Sequence, residues 1–146
     1  GRIQLVVAEM MDELARLSPG GPTRSAEFPL VLSAGERRSF TANTIFRDRT
    51  WRKKDEDGAL RVAPADAASL GLVDGGRARV TTAAGSVEVT VEVADAMRAG
   101  HVSLPNGFGI DGAGVSPNEL TSYLHRDELA GTPLHKHVPA RVEAVV

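Results

Sequence analysis

Polar and apolar positions alternate most regularly between residues 77 and 93. Ala78, Val80 and Thr82 alternate with Arg77, Arg79 and Thr81. After Ala83-Ala84-Gly85-Ser86, the residues Val87, Val89, Val91 and Val93 alternate with Glu88, Thr90 and Glu92. Successive side chains of a strand point to opposite faces, so this pattern predicts a β-hairpin with one buried and one wet face. Residues 28–32 (Phe-Pro-Leu-Val-Leu) read as a short buried strand ending at Ala34-Gly35. Residues 60–62, 101–104 and 138–142 add further short strands.

The helical signals are fewer. Ile3, Val6, Met10, Leu14 and Leu17 recur at helical spacing, and Ser18-Pro19-Gly20-Gly21-Pro22 stops the pattern. A helix is predicted over 64–70, with Pro64 at its first position, Asp66 in its first turn and Gly71 as its cap. Ser116-Pro117-Asn118-Glu119 carries the signature of a capping box, which predicts a helix over 117–124. Short strands dominate and no βαβ unit repeats, so a doubly wound sheet is not expected. The expected class is mainly β: a barrel of about six strands with short helical insertions. An N-terminal helix and linker take up residues 1–27, and the barrel domain residues 28–146.

At 146 residues the chain is long enough for one domain with a proper core. A net charge of −2 gives no bulk attraction to nucleic acid or anionic lipid. No apolar run is long enough for a transmembrane helix. The first residues are amphipathic and do not read as a signal peptide, so a cytoplasmic location is expected. The chain opens on helical pattern without a Met and reads as a piece of something longer. With no Cys, it has no disulfide, no thiolate metal site and no cysteine nucleophile.

Candidate chemistry is sparse. Gly107-Phe108-Gly109-Ile110-Asp111-Gly112 satisfies G-x-G-x-x-G after a strand, but loop residues rather than a helix follow Gly112. A Rossmann fingerprint needs that helix. The run reads instead as a glycine-rich loop whose backbone N–H groups can approach a ligand closely. Between Glu36 and Lys54, seven basic residues stand against two acidic ones, Glu36 and Asp48. Such a patch suits a pyrophosphate or an acidic surface. Only Trp51 is interleaved with its later basic residues, which argues against a nucleic-acid stacking platform. His135 and His137 flank Lys136, whose charge disfavours a cation between them. Asp111 and Glu119 have no defined acid–base spacing, and Ser33 and Ser39 lack a nucleophile elbow. No self-sufficient active site emerges.

The order LPNGFG, PNELT and AGTPLHKHVPARVE over residues 104–143 resembles the C-terminal cofactor-binding domain of the molybdopterin-dinucleotide oxidoreductases. That family includes formate dehydrogenases, nitrate reductases and dimethyl sulfoxide reductases. The similarity extends over most of residues 28–143. It implies a double-psi β-barrel that packs over molybdopterin guanine dinucleotide, with molybdenum or tungsten held by the cofactor and not by this chain. It implies no catalytic residue here, and partners in the remaining domains of a parent oxidoreductase rather than nucleic acid or membrane.

The resemblance also implies binding positions. The segment after the first strand matches at Ser33, Ala34, Gly35, Arg37, Arg38 and Ser39, and continues through Asn43 and Thr44. Gly107 and Phe108 match the glycine loop. Asn118 matches an Asn ahead of a Leu-Thr pair, and Lys136 a Lys after Gly-Thr-Pro. Glu36 stands where many members have Arg, which moves the basic role to Arg37 or Arg38. That departure supports an alternative: a double-psi barrel serving as an interaction or structural module that binds no cofactor. Whether Arg37, Asn118 and Lys136 share one cleft separates the two.

Overall fold

The computed structural model describes residues 3–17, 24–36, 58–109 and 114–145. Six strands form a closed barrel: β1 (Leu30–Glu36), β2 (Leu60–Val62), β3 (Arg77–Thr82), β4 (Ser86–Val93), β5 (His101–Pro105) and β6 (Val138–Ala144). Their order around the barrel is β1-β5-β2-β4-β3-β6, and β6 closes back onto β1. Two pairs are parallel, β1 with β5 and β2 with β4; the others are antiparallel. Closure leaves no free edge among the described strands.

The alternation seen in the sequence sets the faces. Ala78, Val80, Val87, Val89 and Val91 of the hairpin enter one core with Leu32, Leu60, Val62, Val102, Leu104 and Val142. Arg79 and Glu88 face outward, directly opposite each other, and pair at 2.7 Å.

Helix α1 (Ala8–Arg16) is shorter than the expected 3–17, and none of its residues is buried. Met10 and Leu14 remain 57% and 58% exposed, so its periodicity describes a stripe that no described residue covers. Helix α2 (Pro64–Leu70) forms as expected, with Pro64 in the first turn and Gly71 left-handed at φ 64°. It follows β2 and closes one end of the barrel, where Ala67 and Leu72 join the core. There Asp66 Oδ2 accepts from the Gly100 N–H at 2.6 Å.

The predicted helix over 117–124 is instead a single 3-10 turn, Pro117–Leu120. Its Leu120 is fully buried. The Thr82 hydroxyl donates to the Leu120 carbonyl at 2.9 Å, and a Cβ on Gly85 would lie 2.6 Å from the Glu119 carbonyl. The hairpin turn thus holds the chain before an α-helix can extend. The capping box forms only in part: Ser116 Oγ accepts from the Asn118 N–H at 3.3 Å.

Candidate functional site

The strand directions gather the candidate segments at one end of the barrel. β1 and β5 run in parallel and finish together at Glu36 and Pro105. β6 is antiparallel to β1, so its entry at Val138 lies at the same end. The turn between β3 and β4 lies there too, because Thr82 pairs with Ala140 and Thr81 with Ser86. β2 is antiparallel to β5, which brings Gly58 and Ala59, just ahead of it, to this end. This end forms the mouth of the barrel; α2 caps the opposite one.

Two cavities open at the mouth. The smaller, about 110 Å³, is lined by Ala34, Asn106, Asn118 and His135. The larger, about 750 Å³, is mostly apolar and lined by residues that include Phe28, Leu120, Leu124, Leu134, Lys136, His137 and Val138. Segment 134–138 separates them, with His135 toward the small cavity and Lys136 and His137 toward the large one. The two histidines flanking Lys136 therefore do not share a site. Among the described residues no group of three His, Asp or Glu side chains is placed to hold a metal ion.

The small cavity is built by close backbone fits. His135 O accepts from the Ala34 N–H at 2.8 Å, tying the segment before β6 to β1. Asn106 Nδ2 donates to Gly35 O at 3.2 Å, and Asn106 N donates to Glu36 O at 3.0 Å. Gly35 has φ 90°, and a Cβ there would lie 2.9 Å from the Asn106 amide. Only glycine adopts that conformation readily and admits that approach. Asn118 is exposed, and its side-chain amide has no partner among the described residues.

Glu36 does not face a ligand alone. Its Oε1 accepts from Arg61 Nη1 at 2.7 Å and its Oε2 from Ser103 Oγ at 2.9 Å. Arg61 Nε also reaches both Glu92 oxygens, at 3.1 and 3.0 Å. The four residues sit on four adjacent strands, β1, β5, β2 and β4, along the outer wall.

The sequence-derived site residues divide three ways. Ser33, Ala34 and Gly35 lie within β1, which continues to Glu36, rather than in a loop after it. Ala34 and Asn118 share the small cavity, and Lys136 lines the neighbouring one. Gly107 has φ 89° at the end of β5, and Phe108 is 3% exposed. A Cβ on Gly58 would lie 2.6 Å from the Phe108 ring, so that ring packs between the glycine loop and the segment entering β2. Arg37, Arg38, Ser39, Asn43, Thr44 and most of the basic stretch lie outside the described residues. Asn106 and His135 line the small cavity, and Arg61 joins the wall network, with no binding role assigned to them from sequence. The Asn-Gly turn after β5 is the available signal for Asn106; His135 stands out in sequence only as half of a His pair that the structure splits, and nothing local marks Arg61.

One titration is displaced. The partly buried His101 ring has its pKa lowered from 6.5 by burial first and then by Arg24, Arg98 and His137; Asp66 opposes them. Arg24 Nη2 lies 3.3 Å from its Nε2.

A family model described as the Molydopterin dinucleotide binding domain matches residues 30–139. Among solved structures the chain is similar to acetylene hydratase from Pelobacter acetylenicus, at 23% identity and a TM-score of 0.72. The match covers 82% of this chain and 19% of that one, so the likeness is to a small part of a larger protein and concerns the fold. No curated protein matches.

Proposed function

The chain belongs to the molybdopterin dinucleotide-binding domain family, and on that premise we propose that its barrel mouth holds molybdopterin guanine dinucleotide within a larger molybdenum or tungsten oxidoreductase. The observation that carries the site assignment is the gathering of Ala34, Gly35, Gly107, Asn118 and Lys136, distant in sequence, at one barrel end. The donor set fits such a group. Glycines with positive φ let the backbone approach a ligand closely, Asn118 offers an amide to a heterocycle, and Lys136 brings positive charge to phosphate. Arg37, Arg38, Ser39, Asn43 and Thr44 belong to the proposal through the sequence resemblance alone. The bound cofactor would supply the metal and its redox chemistry; this chain binds and orients it.

The two parallel pairs in an otherwise antiparallel barrel support the double-psi description. The share of the related structure that is covered supports partners in further domains of one enzyme. No helix among the described residues is long and apolar enough to cross a membrane. The rival reading, a barrel that has lost its cofactor, rests on Glu36 in an Arg position. Its carboxylate is engaged by Arg61 and Ser103 along the wall, so a negative charge there is compatible with an anion at the mouth.

Hydrogen exchange of the chain with and without molybdopterin guanine dinucleotide tests the proposal. Slower exchange is expected at residues 33–44, 106–109 and 116–120 and in the segment around Lys136. Protection at the α2 end alone, or none, contradicts it.

A further inference from the structure

Two apolar surfaces of this chain are open at once. On α1 and its cap, Met10, Leu14 and Leu17 recur at the i, i+4, i+7 spacing by which a helix fills a groove. They are 57%, 58% and 67% exposed. The other surface is the large mouth cavity, about 750 Å³, whose apolar lining includes Phe28, Leu124, Leu134 and Val138. Leu124 and Leu134 are themselves 74% and 55% exposed. Contiguous apolar surface left in water marks an interaction site.

The charges of the two surfaces are opposite. Between its apolar positions α1 carries Glu9, Asp12 and Glu13 against Arg16 alone, and Glu13 already holds Arg16 at 3.0 Å. The cavity is lined by the basic groups Lys136, His125 and His137. Beyond His137 the basic groups continue: burial and then Arg24, Arg98 and His137 lower the His101 pKa, with Asp66 opposing them. None of Arg24, Arg98 and Lys136 has an ion-pair partner among the described residues. An acidic helix with an apolar stripe therefore fits this cavity. The chain's own α1 lies beside it, with Arg16 Nη1 4.0 Å from Glu128 Oε2, yet buries none of its residues. Only six residues, Ser18-Pro19-Gly20-Gly21-Pro22-Thr23, join Leu17 to Arg24. A short connection with two prolines favours exchange of the helix between copies over its folding back. We propose that α1 of one copy docks in the large cavity of a second copy, and that reciprocal docking makes a two-fold dimer. The proposal goes beyond the cofactor reading and does not depend on it. Lys136 is common to both, so the docked helix and the cofactor would exclude each other.

Analytical ultracentrifugation of the 146-residue chain tests the proposal, with methyl NMR of Leu124 and Leu134 as the second readout. A concentration-dependent monomer–dimer equilibrium is expected. Leu14→Ser and Leu134→Ser should each weaken the dimer about ten- to hundredfold, the loss of one buried leucine. Both positions are exposed in the single chain, so neither variant disturbs the core. Lys136→Glu should weaken the dimer about two- to fivefold, as for an exposed ion pair. The Leu124 and Leu134 methyl signals should move on dilution, and Leu14→Ser should hold them at their monomer positions. A chain that stays monomeric at millimolar concentration overturns the proposal. If Leu14→Ser still moves the cavity methyls in that monomer, the chain's own helix is the occupant. A dimer weakened by Leu14→Ser and not by Leu134→Ser pairs stripe with stripe and overturns docking in the cavity. A dimer indifferent to both variants overturns the proposal outright.

Discussion

Arg61 Nη1 lies 2.7 Å from Glu36 Oε1, and this pair joins the second strand of the barrel to the end of the first. The side chains are 33% and 27% exposed, and Ser103 Oγ and the Glu92 carboxylate extend the contact across four strands. The pair therefore sits between the exposed and buried limits for ion pairs. Glu36→Ala should lower unfolding stability by about 1–2 kcal/mol, above an exposed pair and below a buried one. Arg61→Met should cost more, because it takes away the cation held between two carboxylates. Chemical denaturation of both variants checks the order. Arg61→Met being as stable as the parent chain would show the network to be energetically idle.

Gly35 is the position where backbone and cavity constrain each other most. Its φ of 90° and the 2.9 Å that would separate an added Cβ from the Asn106 amide both oppose any side chain. Gly35→Ala should destabilise the domain by about 1–3 kcal/mol, the usual range for a strained backbone site. It should also shift the Asn106 side-chain amide signals. Gly71→Ala, at a left-handed helix cap with open space around it, should cost about 1 kcal/mol and leave those signals in place.

Leu120 anchors the turn that presents Asn118. It is fully buried, and its carbonyl accepts the Thr82 hydroxyl at 2.9 Å. Leu120→Ala should cost about 2–5 kcal/mol, as for other large-to-small core changes. Thr82→Val leaves the Leu120 carbonyl and the Ala84 N–H without their partner and should cost about 1–3 kcal/mol. Thermal melts read both; a neutral Leu120→Ala would mean the turn is not held by the core.

His101 gives a pH signature that does not depend on a ligand. Burial and Arg24 lower its pKa below 6.5, so the unfolded chain takes up the proton first as pH falls. Its contribution is fully present above pH 6.5 and is lost as pH drops through the lowered folded value. An NMR titration of the ring should show that value below 6.5. Arg24→Ala should raise it only part of the way, because burial is the larger cause. A ring in the parent chain titrating at or above 6.5 would contradict this account of its surroundings.

Much of the barrel is legible in the sequence because strand alternation and capping are local signals. The hairpin valines, the 60–62 strand and the Pro64–Leu70 helix all follow from neighbours a few residues apart. The local pattern over 117–124 promises a longer helix than forms, because the end is set by a contact from the distant Gly85 turn and not by its own residues. The N-terminal periodicity is real, but it says only that a stripe exists and not what covers it. In the candidate site, the family resemblance marks Ala34 and Asn118, which share a cavity. The sequence marks His135 only as half of a His pair and does not mark Arg61 at all, because the placement of both depends on pairing between strands far apart in the chain.

The central claim is that the cofactor sits at the barrel mouth. The most direct measurement is pterin and metal content of the holoenzyme that carries this domain, purified with Asn118→Ala, Lys136→Ala or Arg77→Ala. Arg77 is exposed at the start of β3, on the end away from the mouth. Removing one charged hydrogen bond from Lys136 would cost about 1.5–3 kcal/mol, or about 10–100-fold in cofactor affinity. The account predicts lowered pterin and metal content in the Asn118 and Lys136 variants, with folding intact by circular dichroism, and full content in the Arg77 variant. Unchanged content in both mouth variants would contradict it.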